Sequence, residues 1–150
     1  MEKEKMEVLI DNRQKKYQIA MTTIRQKALD ILNVLECHDA ELSILIVDDA
    51  QIAVLNKKYL HRTGPTNVIA FPMHTDIFPN ISPQLLGDVV ISVDTAAKEG
   101  KHIGIGMEER FIQLLVHGIL HLIGYDHEQS EKQAEDMEQK ENEILKLIKH

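Results

Sequence analysis

The sequence has little of several features that would each define a class of protein. Its 150 residues include one cysteine, so no disulfide can form within the chain, which favours a reducing compartment. No apolar run approaches the roughly 18 to 20 residues that span a bilayer. The stretch "MEKEKMEVLI" lacks the apolar core of a secretory signal. We therefore expect a cytoplasmic protein with neither a membrane nor a disulfide partner. Cys37 follows an apolar helical segment, which favours a buried or bystander thiol over a nucleophile.

The charge balance also lacks a basic excess, because the formal net charge is −7. A nucleic acid would therefore have to bind through a local basic patch. One candidate patch combines Lys57, Lys58, His61 and Arg62, with Tyr59 among them as a ring that could stack on a base. The alternative is a solvated helix end, where positive charges favour the helix dipole.

Apolar periodicity predicts one domain with four strands and at least four helices, an α/β-type sandwich. Asp48 or Asp49 is expected to cap one helix, and Ser92 or Asp94 another. Three of the four prolines fall in a predicted irregular loop at 72–86. The predicted strands are 6–11, 41–47, 67–71 and 87–92, and the predicted helices are 16–36, 50–60, one beginning at 93, 106–124 and 129–149.

The stretch "HGILHLIGYDH" (117–127) carries three of the eight histidines within an apolar run. His117 and His121 are four residues apart, so a helix places them one turn apart on the same face. Gly124 suits a helix end that turns back with a left-handed residue, which would bring His127 round to the same ion. Three neutral imidazoles fit one zinc ion per chain and leave a coordination position open. Nickel and copper also accept such ligands.

The spacing H-x-x-x-H-x-x-G-x-x-H is that of metzincin proteases, with one difference. Their catalytic glutamate follows the first histidine, whereas this chain has Gly118 there, which argues against peptide hydrolysis. Zinc could still act as a Lewis acid on a phosphodiester, and RNA can supply its own 2′-hydroxyl as the nucleophile. Asp126 either orients the ligand His127 through a hydrogen bond or is a turn residue.

The histidine motif resembles the signature of the YbeY family, bacterial rRNA maturation factors described as metal-dependent single-strand endoribonucleases. The blocks "NKKY", "PTNVIAFP", "GDVVIS" and "MEQKENEIL" occur in the family's order, and the resemblance runs from about Val47 to the C-terminus. It implies a single α+β domain, with a mixed four-stranded sheet, surrounding helices and a zincin-like three-histidine site on a long helix and the following turn.

By the same resemblance, His117, His121 and His127 are zinc ligands, and the substrate is single-stranded rRNA. The implied role is 16S rRNA 3′-end maturation and ribosome quality control, with the small ribosomal subunit as partner. Two positions depart from the family pattern. Leu60 stands where an arginine follows the tyrosine, and Ala70 stands where a serine precedes the phenylalanine. Arg62, two residues after Leu60, is the candidate substitute.

Two other functions stay open at this point. One is a non-catalytic ribosome assembly factor whose zinc is structural. A closed fourth ligand would favour it, and Asp126, Glu128 or His102 could supply that ligand. The other is a zinc metallopeptidase, which the missing glutamate disfavours.

Overall fold

Short runs of β-branched and aliphatic residues form the strands, and longer amphipathic runs form the helices. The computed structural model describes residues 6–73, 85–126, 128 and 130–149. Within these residues, the strands are β1 (Glu7–Asn12), β2 (Glu41–Val47), β3 (Val68–Pro72) and β4 (Leu85–Ser92), and the helices are α1 (Met21–Val34), α2 (Asp49–Leu60), α3 (Val93–Ile103), α4 (Met107–Leu122) and α5 (Glu131–Ile148).

The described strands form one mixed sheet in the order β1-β2-β4-β3. β1, β2 and β4 run parallel, whereas β3 pairs antiparallel with β4 and lies at the sheet edge. The register places Ala70 opposite Val89 and Ile44 opposite both Ile10 and Val89. The expected α+β fold with a mixed four-stranded sheet is confirmed.

Alternating side chains divide β2 between the two faces of the sheet. Leu42, Ile44 and Ile46 join the main core, which α1, α4 and α5 complete. Leu45 and Val47 belong to a smaller cluster on the other face, together with residues of α2, β3 and β4. Burying each such side chain contributes roughly 1.5–3 kcal/mol. The main core therefore fixes α4 firmly against the sheet.

Side-chain caps determine where α2 and α3 begin. Asp48 caps α2, because its carboxylate accepts the backbone N–H of Gln51, while the Gln51 side chain accepts the N–H of Asp48. Ser92 caps α3 by accepting the N–H of Thr95. In each helix, the cap is the first of the two residues that were predicted as candidates.

The starts of α1 and β4 differ from the predicted boundaries. The helix predicted over 16–36 begins only at Met21, because Gln14 exchanges side-chain hydrogen bonds with the backbone of Tyr17 and holds that segment in a turn. β4 begins at Leu85, inside the predicted loop 72–86, and residues 74–84 of that loop lie outside the described residues.

The structure also bears on membrane-spanning helices and on the role of Cys37. Among the described residues, no helix is long and apolar enough to cross a membrane. Cys37 is partly buried, and burial raises the pKa of its thiol, which disfavours the nucleophilic thiolate.

Candidate functional site

The two histidines on α4 lie side by side near its C-terminal end. Their Nε2 atoms are 3.1 Å apart, and their ring centroids are 4.7 Å apart. Two nitrogens so close can share a proton in a hydrogen bond or coordinate one ion together. The predicted pairing of His117 and His121 through their four-residue spacing is thus present in the fold.

The spacing of these nitrogens fits a tetrahedral zinc ion. Zinc–nitrogen bonds of about 2.0–2.1 Å place two ligands about 3.3 Å apart, close to the observed separation. Among the described residues, no three histidine, cysteine or carboxylate side chains are grouped to hold a metal. His127, the third predicted ligand, lies outside the described residues, so the three-histidine set stays a prediction.

The end of α4 has the geometry that the glycine predicts. Gly124 has a φ of +107°, in the left-handed half of conformational space. Its N–H bonds the carbonyl of His121 at 3.1 Å, and the Tyr125 N–H bonds the carbonyl of Leu120 at 3.0 Å. This pair of hydrogen bonds is the Schellman motif. The helix therefore ends at Leu122, one residue after His121, and the chain turns at Gly124.

After this turn, Asp126 has a local structural role. Its Oδ1 accepts the backbone N–H of Glu128 at 2.9 Å, which is the turn-forming bond typical of aspartate. Both residues line the cleft beside the histidines. His102, the other candidate fourth ligand, lines a separate cavity with Lys98 and Arg110.

Gly118 lies where α4 packs against β3 and β4 of the sheet. A Cβ built on this glycine would be 2.6 Å from Cγ1 of Val89 and 3.2 Å from Cγ2 of Val68. The first contact is far shorter than ordinary van der Waals contact and the second is slightly shorter, and Val89 is fully buried. The position that holds glutamate in metzincins is thus occupied by sheet side chains, so no larger residue fits there without displacing them.

A cleft of about 700 Å³ borders both histidines. Its other walls come from edge strand β3, the turn after α4 and the segment after α2. Leu60 and Arg62 both line it, as does Ala70. The cleft therefore contains Leu60 and Ala70, the two residues that depart from the family pattern, and Arg62, the candidate substitute for the missing arginine.

A buried asparagine holds the segment that carries Arg62. The Asn56 side chain, only 4% exposed, donates to the Gly64 carbonyl at 2.9 Å. Its backbone carbonyl accepts the N–H of Arg62, and His61 adopts a left-handed φ of 57°. These bonds reverse the chain after α2 and direct it along the cleft.

The rest of the basic patch is differently placed. Lys57, Lys58 and Tyr59 are exposed and are not among the described residues that line the cleft. The Tyr59 ring packs edge-on against Phe71 with centroids 5.4 Å apart, and the Lys58 ammonium lies 5.2 Å from its centre. The sequence patch therefore divides into Arg62 in the cleft and a helix end beside it.

Sequence reasoning missed the carboxylate that contacts the first histidine. Glu141 Oε1 on α5 lies 2.6 Å from His117 Nδ1. The position of Glu141 in the sequence could have revealed it. The core-facing side of α5 carries Met137, Glu141, Ile144 and Ile148 at helical spacing, and all of these except Glu141 are buried. A glutamate in an apolar stripe needs a partner inside the fold.

The fold and the cleft define a single-domain α+β protein with a histidine pair beside a ligand-sized groove. The model of the family described as endoribonuclease YbeY matches residues 9–149. The chain therefore belongs to this family, and the resemblance drawn from the sequence is confirmed.

Curated relatives extend over nearly the whole chain. Endoribonuclease YbeY of Syntrophotalea carbinolica is 48% identical over 93% of this chain and 94% of its own length. The Geobacter metallireducens protein of the same name is 46% identical over 95% and 96%. The solution structure of TM1509 from Thermotoga maritima has a TM-score of 0.67 at 22% identity, covering 94% of this chain and 88% of its own, which shows a shared fold.

Proposed function

We propose that this protein is a zinc-dependent endoribonuclease that cleaves single-stranded RNA during maturation of the 16S rRNA 3′ end and in ribosome quality control. Its place of action would be the cytoplasm, and its partner the small ribosomal subunit. Family membership supports the endoribonuclease activity. The observation that carries the metal-dependent mechanism is the pair of Nε2 atoms 3.1 Å apart at the wall of the cleft.

His117 and His121 would hold the ion, and His127 would complete the ligand set. A bound zinc ion supplies Lewis acidity toward a phosphoryl oxygen and lowers the pKa of water. The cleft residues would orient the RNA, with Arg62 as the cationic contact to a phosphate. Its guanidinium suits that role because it presents several donors to phosphate oxygens.

The close approach at Gly118 favours RNA over a peptide as substrate. A metzincin-type peptidase needs a general-base carboxylate at that position, and the Val89 and Val68 side chains fill the space. RNA carries its own nucleophile in the 2′-hydroxyl, so cleavage of RNA requires fewer catalytic groups from the protein.

The test is zinc content and RNA cleavage, measured in parallel on wild type and His121→Ala. Losing a residue that hydrogen-bonds to a metal ligand typically costs about 10- to 100-fold, and losing the ligand itself should cost more. We therefore expect cleavage to fall by at least about 100-fold, with loss of zinc. His102→Ala is the matched control, because His102 is exposed and lines a different cavity. Full cleavage by His121→Ala would contradict the proposal.

The same samples separate the alternatives. A structural zinc in a non-catalytic assembly factor predicts zinc binding without RNA cleavage by the wild type. A peptidase predicts casein hydrolysis that requires zinc. The proposal requires cleavage of single-stranded RNA and no casein hydrolysis.

A further inference from the structure

We propose that Glu141 is a positioning residue, which holds His117 in the tautomer and orientation that direct its Nε2 atom toward a metal ion. The inference rests on the proposed metal centre and adds a residue from a different helix to it. The evidence is the 2.6 Å contact between Glu141 Oε1 and His117 Nδ1, between residues 24 positions apart in the chain.

The chemistry of the two groups determines which nitrogen carries the proton. An ionised carboxylate can only accept a hydrogen bond, so the contact places the proton of a neutral imidazole on Nδ1. Nε2 then presents its lone pair, and it is Nε2 that faces His121 at 3.1 Å. A carboxylate on the outer nitrogen is a common partner of a metal-ligating histidine and fixes the orientation of its ring.

The placement of Glu141 on α5 makes this contact rigid. Met137, Ile144 and Ile148 are at most 2% exposed and anchor α5 to the core on both sides of the glutamate. The Glu141 side chain is 24% exposed and that of His117 is 27% exposed, so much of the pair is shielded from water. A hydrogen bond between anchored helices fixes the ring more firmly than one from a mobile surface side chain.

Glu138 provides an internal comparison. It lies one turn before Glu141 and lines the same cavity of about 460 Å³ between α4 and α5. It is exposed, whereas Glu141 points to the histidine. Substituting either residue by glutamine changes the charge of this cavity equally, but only Glu141→Gln alters the contact with His117.

The experiment compares wild type, Glu141→Ala, Glu141→Gln and Glu138→Gln. Zinc affinity is measured by competition with a chromophoric chelator, and the His117 tautomer by long-range ¹H–¹⁵N NMR of the metal-free protein. We expect Glu141→Ala to bind zinc about 10- to 100-fold more weakly and to lose the preference for Nδ1–H. Glu141→Gln should lie between it and wild type, and Glu138→Gln should match wild type.

The outcomes separate this inference from the proposed function. Wild type that binds no zinc would overturn the metal centre itself. Wild type that binds zinc, with Glu141→Ala and Glu141→Gln within twofold of it, would overturn only the role of Glu141. An Nδ1–H tautomer that persists in both variants would do the same. If Glu141→Ala does not fold, the near-isosteric Glu141→Gln decides both measurements.

Discussion

Two of the polar clusters among the described residues differ in what their polar atoms contact. At the carboxyl ends of the parallel strands, Asp49 accepts hydrogen bonds from Ser92 and Thr95 at 2.6 Å and from Lys98 at 3.0 Å. Nearby, Asp94 accepts the Asp49 N–H and pairs with Lys16. We call this group the Asp49 network. The histidine pair instead lines a cleft beside edge strand β3.

This contrast shows that neither polar residues nor strand ends define a site by themselves. In open α/β sheets, ligands usually bind beyond the carboxyl ends of the parallel strands. Here both carboxylate oxygens of Asp49 already accept hydrogen bonds from side chains of the protein itself. Such a cluster stabilises the fold, whereas the histidine pair borders a cleft large enough for a ligand. The antiparallel edge of this mixed sheet therefore provides the candidate site.

The largest effect on stability is expected when glutamate replaces Gly118, the position at which metzincins carry their catalytic glutamate. Gly118→Glu forces a charged side chain against Val89 and Val68, which should lower the free energy of unfolding by more than about 3 kcal/mol. Chemical denaturation measures this change. The same substitution at Gly106, where an added Cβ meets nothing within 4 Å, should cost less than about 1 kcal/mol. Equal effects at the two glycines would contradict the packing argument.

The Asp49 network should show its role in stability rather than in activity. Asp49→Asn removes the charge from three hydrogen bonds, so the free energy of unfolding should fall by about 1.5–3 kcal/mol. RNA cleavage at a temperature where the variant is folded should be unchanged. Asp88→Asn, at an exposed position on β4, is the control for the loss of one negative charge. Loss of cleavage by folded Asp49→Asn would place this network in the active site.

The pH dependence of stability tests the same network. Burial raises the pKa of Asp49, but hydrogen bonds from Ser92, Thr95 and Lys98, together with the Lys98 charge, outweigh it, and the net pKa is lowered. The carboxylate therefore contributes stability that is fully present above the unfolded pKa of about 3.9 and is lost as pH falls through the folded value. The stability difference between wild type and Asp49→Asn should shrink over that acidic range, and a constant difference would contradict this.

Metal removal should have a smaller effect on the fold. A main core that contains residues of the sheet and of α1, α3, α4 and α5 does not depend on an ion. With free zinc at tenfold its dissociation constant, chelation should lower the free energy of unfolding by about 1.4 kcal/mol. Thermal unfolding should stay cooperative. Loss of a cooperative transition on chelation would favour a structural ion and the non-catalytic alternative.

The smallest expected effect separates the two halves of the basic patch. Arg62→Ala removes a cation from the cleft, so RNA cleavage should fall about fivefold, equivalent to about 1 kcal/mol, with zinc content unchanged. Lys58→Ala, outside the residues that line the cleft, should change cleavage less than twofold. Unchanged cleavage by Arg62→Ala would refute its role as the substitute phosphate contact.

Local features of the site were predictable because neighbouring residues determine them. The spacing of His117 and His121 places them on one helix face, and Gly124 allows the left-handed turn that ends α4. The caps at Asp48 and Ser92 follow from the same short-range rules. The start of α1 was missed because Gln14 bonds to the backbone of Tyr17, a turn that competes with helical periodicity.

The sequence alone determined the strands and helices, the histidine pair and the family, since periodicity and short motifs act over a few residues. The tertiary structure alone decided which distant residues meet. It brought Glu141 to His117, packed Gly118 against Val89, and joined Asp49 to Ser92. These contacts depend on how helices pack on the sheet, because packing places side chains together that the order of residues separates.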